Sequence, residues 1–347
     1  MRLAWIVVLS GFVGALYAGG CWAGEPRVEG DPDFRTHGVA YFKRVIRSIV
    51  EFQGRAWVGT YGGGVHAIGP AGVETFTREN SPLLENRVNV LAVRRGELWL
   101  GTCAGFSIFD GKSWRAQTSR DGIASDIYHS CFVDERDRVW VGTAGHGVSI
   151  LEQGRWRTLT PAQGVTDGWI NGLAQDDLGR VWIAGGTRVM RQEGGLFALE
   201  RPPWTRTPAG VTAVANRDGE IWVASALSGL AMYQAGTWYR PPVEGHLPTC
   251  QVNALTVDGA GRLWIGTAKG IVSYHPREGW ARYGTEQGLV DRNIRVIHYS
   301  PVSRRLWAGS FLEGWVYLFD QARNRFDAVL HAGTPVGKGT LVQGRRE

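Results

Sequence analysis

Apolar and polar residues alternate with a period of two over short stretches of the chain, and this pattern predicts β-strands. Residues 251–257 alternate in this way, and a turn at 258–261 leads into a second apolar stretch at 262–267. Residues 271–275 and 279–283 are predicted as a third and a fourth strand. The short links between these stretches are typical of hairpins, so the segment is predicted to be a four-stranded antiparallel meander.

The same pattern recurs along the chain, and each copy is marked by a tryptophan in its second predicted strand. The seven marker residues are Trp57, Trp99, Trp140, Trp182, Trp222, Trp264 and Trp307, at steps of 40 to 43 residues. A constant period of this size is typical of propeller or solenoid arrays. Four-stranded units of this length close radially. We therefore predict an all-β fold, a seven-bladed β-propeller of four-stranded antiparallel blades, with the indoles packed between blades.

The propeller is predicted to span residues 34–331 as one domain. A polar leader at 24–33 precedes it, and a flexible tail at 332–347 follows it. Two stretches, 33–37 and 325–330, both resemble a fourth strand of the last blade. One of them closes the ring, and the other is an extra outer strand or a cover.

Residues 1–23 have the features of a signal peptide. Arg2 precedes a mostly apolar stretch at 3–16, which is too short to span a bilayer comfortably, and small residues follow it. Cleavage after Ala23 would release a soluble protein. In the alternative, Gly19-Gly20-Cys21 resembles a lipoprotein cleavage box with Cys21 as the lipidated residue. We favour soluble export, and both alternatives predict a periplasmic or extracellular protein whose only membrane attachment would be a lipid at Cys21.

Charge and cysteine content narrow the function classes. The 38 basic and 32 acidic residues give a formal charge of +6, and the basic ones are scattered, which argues against nucleic-acid binding. The four cysteines lack any metal-ligand spacing. They are interpreted as small buried apolar residues, with a bridge between Cys103 and Cys131 as the alternative. No cofactor or metal is predicted.

The repeat Asp-x-x-Gly-Arg-Leu-Trp-Ile-Gly-Thr, complete at residues 258–267, resembles the two-component regulator propeller repeats. The resemblance extends over about 34 to 331. It implies a propeller like the periplasmic sensor halves of membrane histidine kinases, which often take part in polysaccharide sensing. This sequence has no room for a kinase, so a stand-alone exported propeller is expected. The chain also resembles streptogramin lyase, by fold more than by motif.

Propellers present ligands in a central funnel, built from the starts of the innermost strands and the loops after the second strands. One polar residue per repeat interrupts an apolar first strand when the repeats are aligned on the tryptophan. These ring residues are Arg47, Asn89, His129, Asn171, Thr212, Asn253 and Arg295. The loops add Tyr61, His146, Arg188 and Lys269, with Phe311 and Glu313. The ring residues either bind a polar or acidic ligand or satisfy water and neighbouring backbone groups. Their basic members favour an anionic partner.

Three functions remain open from the sequence. The favoured one is a non-catalytic binding module that engages an unknown protein, peptide or glycan at the funnel. The second is a secreted lyase or hydrolase that uses His129 and His146, which belong to one repeat. The third is a structural adaptor of an envelope assembly, in contact through blade edges or outer loops. No histidine pair has metal-ligand spacing, and no catalytic residue is assigned.

Overall fold

The computed structural model describes residues 45–160, 163–165, 168–186, 188–193, 196–203, 210–311 and 313–332. The predicted signal peptide, the leader, Cys21, the strand candidate at 33–37 and the tail beyond residue 332 lie outside the described residues.

The described residues form seven antiparallel sheets of four strands each, and every sheet is a meander in chain order. This arrangement confirms the predicted seven-bladed β-propeller. Blade 1 contains β1 (Ile46–Phe52), β2 (Arg55–Thr60), β3 (Val65–Gly69) and β4 (Gly72–Phe76). Blade 2 contains β5 (Val90–Arg94), β6 (Glu97–Gly101), β7 (Phe106–Phe109) and β8 (Trp114–Gln117). Blade 3 contains β9 (Tyr128–Val133), β10 (Val139–Thr143), β11 (Val148–Glu152) and β12 (Arg155–Leu159).

The remaining four blades repeat this order. Blade 4 contains β13 (Ile170–Gln175), β14 (Val181–Gly185), β15 (Val189–Glu193) and β16 (Leu196–Glu200). Blade 5 contains β17 (Val211–Arg217), β18 (Glu220–Ser225), β19 (Gly229–Gln234) and β20 (Thr237–Tyr239). Blade 6 contains β21 (Val252–Val257), β22 (Leu263–Thr267), β23 (Gly270–His275) and β24 (Gly279–Tyr283). Blade 7 contains β25 (Ile294–Ser300), β26 (Arg305–Ser310), β27 (Trp315–Asp320) and β28 (Arg325–His331). A short 3-10 helix, Ser119–Asp121, follows blade 2.

The marker tryptophans are core residues, as predicted. All seven are buried, with side chains between 0% and 4% exposed. Indoles also meet aromatic rings of the next blade. Trp182 of blade 4 lies 6.0 Å from Trp238 of blade 5, and Trp264 of blade 6 lies 6.1 Å from Phe326 of blade 7. Large rings therefore fill the space between neighbouring sheets, where burial of apolar area stabilises the fold most.

A buried carboxylate explains why the repeat carries Asp and Arg as well as Trp. The indole N–H of Trp140 donates to Asp134 Oδ2 at 2.8 Å, and Arg138 Nε donates to the same oxygen at 2.6 Å. Asp134 Oδ1 also accepts the backbone N–H groups of Arg136 and Arg138, which fixes the turn between the first two strands. Blades 4 and 6 repeat the bond from indole to carboxylate. In blades 3, 4 and 6 the motif is thus a satisfied polar cluster at the base of the indole, whereas the other four indoles donate to a backbone carbonyl or to a glutamate.

The ring closes by packing of blade 7 against blade 1. β28 is the outer strand of blade 7, which confirms the prediction of a strand at 325–330. Trp307 Nε1 donates to Glu51 Oε1 at 2.7 Å across this contact. Ile46 of blade 1 lies so close to Gly309 of blade 7 that a Cβ there would sit 2.5 Å from Ile46 Cγ2.

The cysteine predictions are corrected in part. Cys131 is free and buried, so the alternative bridge between Cys103 and Cys131 is not formed. Cys250 is free and exposed, because it ends the surface loop that connects blades 5 and 6, so it is not one of the predicted buried residues. Within the described ranges, no helix has the length and apolar character needed to cross a membrane.

Candidate functional site

The first strands of the seven blades form the inner wall of the ring. Each first strand contacts the first strand of the next blade, and β25 contacts β1. The polar ring residues lie at the starts of these strands, at one end of the central axis. We call Arg47, Asn89, His129, Asn171, Thr212, Asn253 and Arg295 the central ring.

Backbone register explains how polar side chains fit in apolar strands. In blade 1, Ile46 pairs with Thr60 and Ser48 with Gly59, so Arg47 is an extra residue without a partner. The same β-bulge occurs in every blade except blade 2. The other extra residues are His129, Asn171, Thr212, Asn253 and Arg295. A bulge redirects one side chain and leaves the neighbouring ones on their original faces, so the strand keeps its apolar contacts while the extra side chain is aimed differently.

Three central-ring residues hold the next blade in place. Asn171 Nδ2 donates to the carbonyl of Val211 at 2.8 Å, and Thr212 Oγ1 donates to the carbonyl of Val252 at 2.7 Å. Asn253 Nδ2 donates to the carbonyl of Ile294 at 2.9 Å. Each acceptor directly precedes the central-ring residue of the following blade. On the side formed by blades 4 to 6, the ring therefore has a clear structural role, as one of the sequence interpretations proposed.

The two arginines have a different environment. The Arg47 guanidinium lies over the Tyr61 ring at 5.6 Å, and the Arg295 guanidinium lies over the Phe311 ring at 5.3 Å. Both Nε atoms are buried without a hydrogen-bond partner, and Arg295 is only 3% exposed. No carboxylate of the described residues forms an ion pair with either guanidinium. Burial lowers the pKa of Arg47, and burial together with the charge of Arg47 lowers the pKa of Arg295.

His129 lies within electrostatic reach of both arginines, although it belongs to blade 3. Burial lowers its pKa to about 3, and the charges of Arg47 and Arg295 act in the same direction. Its imidazole is therefore neutral at neutral pH and adds no charge to the funnel. The ring packs edge-on against Trp169 at 5.2 Å. The sequence analysis did not single out Trp169, although it stands two residues before Asn171.

The other candidates lie around this cluster. Asn89 of blade 2 donates to Cys103 Sγ at 3.4 Å, and its buried Oδ1 has no hydrogen-bond partner. His146 is exposed, with Nδ1 3.2 Å from the carbonyl oxygen of Ala144. Neither a hydrogen bond nor a ring contact between His129 and His146 occurs in the described part of the chain. Arg188 and Lys269 are exposed in the loops after the second strands of blades 4 and 6.

This geometry defines a propeller with a cationic, partly aromatic cluster at one end of its axis. Residues 246–269 match the family described as Two component regulator propeller. The matched segment contains the repeat at 258–267, so it confirms the resemblance noted from the sequence. A comparison with curated proteins gave no match.

Similar solved structures show the same fold. The chain superimposes on the extracellular domain of the hybrid two component system BT3049 from B. thetaiotaomicron with a TM-score of 0.66 and 19% identity. That match covers 78% of this chain and 38% of the other, so the chain spans well under half of that domain. Streptogramin B lyase gives a TM-score of 0.58 at 12% identity, covering 82% and 92% of the two chains. An ancestral GH74 enzyme gives 0.65 at 14% identity, covering 83% and 46%.

Proposed function

We propose that this protein is an exported, non-catalytic binding propeller that takes an anionic group of a protein, peptide or glycan at its central ring. The observation that carries the proposal is a pair of guanidiniums, that of half-buried Arg47 and that of buried Arg295, whose buried Nε atoms have no hydrogen-bond partner and which have no carboxylate partner among the described residues. Export is supported by the signal-like segment at 1–23 and by the likeness in fold to the extracellular domain of a two component system.

The physical reason is the cost of burying unpaired charge. A buried cation is unfavourable unless it is paired and hydrogen-bonded. Guanidiniums present several N–H donors in a plane that matches carboxylate and phosphate oxygens. The aromatic rings under Arg47 and Arg295 hold these donors in place before a ligand arrives. An anion would supply the missing acceptors, and the site would have little ordering left to undergo.

The exposed basic residues would act at longer range. Arg188 and Lys269 lie in loops at the same end of the blades and are solvent-exposed. Exposed charges contribute to steering of an anionic ligand more than to its final affinity, and their effect falls as salt rises. We therefore assign to Arg188 and Lys269 the steering of the anionic ligand towards the site, and to Arg47 and Arg295 its binding.

Nothing among the described residues favours the lyase or hydrolase hypothesis over binding. A pKa of about 3 makes His129 a weak base at neutral pH. The likeness to streptogramin B lyase is a likeness of fold.

The test is a calorimetric titration with an oligogalacturonate and an acidic peptide, with maltohexaose as the neutral comparison. We expect the wild-type protein to bind an anionic probe and the combined Arg47→Ala and Arg295→Ala variant to bind it at least about tenfold more weakly, since each lost charge-assisted bond contributes ~1.5–3 kcal/mol. Arg305→Ala is the matched control, because Arg305 is exposed at the start of β26, away from the ring. Unchanged binding together with a large loss of thermal stability would assign both arginines to the scaffold.

A further inference from the structure

The contact between blade 7 and blade 1, which we call the closing seam, differs from the other six contacts between blades. At the other contacts, the chain runs directly from one blade into the next. Within the described residues, blade 1 consists of β1–β4 and blade 7 of β25–β28, and no strand is shared between them. Among the described residues, the closing seam is held by side-chain contacts, namely an apolar cluster and the bond from Trp307 to Glu51.

The central-ring residues at this seam have like charges. Arg47 and Arg295 occupy equivalent bulge positions in β1 and β25, which lie side by side. At the preceding contact, between blades 6 and 7, Asn253 donates a neutral hydrogen bond to the backbone of Ile294. Blades 4 and 5 cross to their neighbours in the same way. At the level of the central ring, the closing seam thus has two cations, where the seams between blades 4 and 5, 5 and 6, and 6 and 7 have a neutral hydrogen bond.

The charge balance points to the class of the ligand group. The two guanidiniums present a fixed charge of two, His129 is neutral, and no described carboxylate pairs with either arginine. A single carboxylate of charge −1 matches one guanidinium fork and leaves the other cation uncompensated. A group of charge −2 compensates both, and it converts the repulsion across the seam into two attractions.

We propose that a dianionic oxyanion group, of the phosphate or sulfate kind, binds between Arg47 and Arg295 and thereby stabilises the closed ring at the closing seam. The proposal rests on the proposed function that the central ring takes an anion, and it adds the charge of the bound group and a conformational consequence. Binding of the dianion would then make local opening of the closing seam less frequent, while the other seams, which keep their own polar contacts, would open as before.

The experiment uses hydrogen exchange on the full chain, with sodium phosphate or sodium sulfate as the dianionic probe at pH 7.5. Sodium acetate and sodium chloride at matched ionic strength control for screening. We expect both dianions to slow amide exchange in β1 and β25 by about fivefold or more, the lower end of ordinary coupling between a site and a conformational equilibrium. Exchange in β13 and β17, whose seam is bridged by Asn171, should change little.

Variants separate charge from packing. Arg295→Gln and Arg47→Gln, singly and together, should each remove the difference between phosphate and acetate, and Arg305→Gln should keep it. Because like charges repel, the double-mutant cycle without dianion should show an unfavourable coupling between Arg47 and Arg295, and phosphate should make that coupling favourable.

The outcomes separate the two proposals. If the oligogalacturonate or the acidic peptide binds but phosphate and sulfate do not slow exchange in β1 and β25, the seam inference is wrong and the proposed function stands. If acetate protects the seam as well as phosphate does, a dianion is not required and the inference is also wrong. If no anion of either experiment binds the wild-type protein, both proposals fail.

Discussion

At the residue scale, the central ring shows that one aligned position can serve two purposes. Asn171, Thr212 and Asn253 donate to carbonyls of the next blade, although Asn171 Oδ1 is itself buried without a partner. Arg47 and Arg295 make no such bond to a neighbouring carbonyl among the described residues, and their buried Nε atoms have no partner. Alignment on the tryptophan found all of these residues. It could not distinguish them, because the acceptor of each bond belongs to a strand about 40 residues away in the sequence.

Two buried histidines, His66 and His298, act together with His129 to make the stability of this protein depend on pH. Burial lowers the pKa of His66 to about 4, and burial lowers that of His298 to about 4 against the opposing charge of Glu51. In the unfolded chain both histidines titrate near 6.5. Between these values only the unfolded state takes up the protons, so the free energy of unfolding falls as pH falls from about 6.5 to about 4. At pH 5 each histidine should cost on the order of 2 kcal/mol.

Urea unfolding at pH 7.5, 6 and 5 measures this dependence. His298→Gln should flatten it relative to the wild-type protein, because one proton-linked histidine is gone while His66 and His129 keep part of the slope. His246→Gln is the control, since His246 is exposed and stacks on Trp280 at 5.3 Å. An identical slope in the wild-type protein and the His298→Gln variant would contradict the prediction.

At the element scale, the sequence predicted strands well and bulges not at all. The four strands predicted at 251–283 agree with β21 to β24 within one residue at each end. Alternation and turn glycines suffice for this, because both are local. A bulge arises from the register between two strands, so a single strand does not reveal it. The available signal was a polar residue that interrupts an apolar strand at the same place in each repeat.

The bonds across neighbouring first strands predict a stability effect without a binding effect. Thr212→Val keeps the shape of the side chain and removes the donor to the Val252 carbonyl. We expect the free energy of unfolding to fall by about 1–2 kcal/mol, because a buried carbonyl loses its partner. Affinity for the anionic probe should not change. Thr237→Val in the exposed edge strand β20 should leave stability nearly unchanged, and an equal loss in both variants would argue against the bond.

At the scale of the whole molecule, the fold was predicted mainly from the repeat period of the sequence. Seven tryptophans at a near-constant step were enough for blade number and for the indole core. The asymmetry of the central ring was not predictable, because it depends on which blades become neighbours when the ring closes. Arg47 and Arg295 are 248 positions apart by their numbers and lie on adjacent strands.

Because side-chain packing brings blade 7 to blade 1 at the closing seam, we predict that the order of the blades along the chain can be permuted. In the permuted chain, a short flexible linker joins residue 332 to residue 45, and the new ends lie between Glu244 and Gly245 in the exposed loop before β21. We expect this chain to fold with near wild-type stability. The new ends lie in a surface loop, where cuts are best tolerated. Circular dichroism and thermal unfolding would test this. A permuted chain that fails to fold would mean that order along the chain, and not packing, brings blade 7 to blade 1.

Because each described blade keeps all four of its own strands, no blade depends on a neighbour for the pairing of its strands. Duplication or loss of one gene segment of about 40 codons would therefore leave every remaining sheet with its pairing intact. What would resist such a change is the angle between sheets, which the buried indoles set. In this architecture, the number of blades in the ring therefore depends on the volume of the aromatic side chains that pack between them.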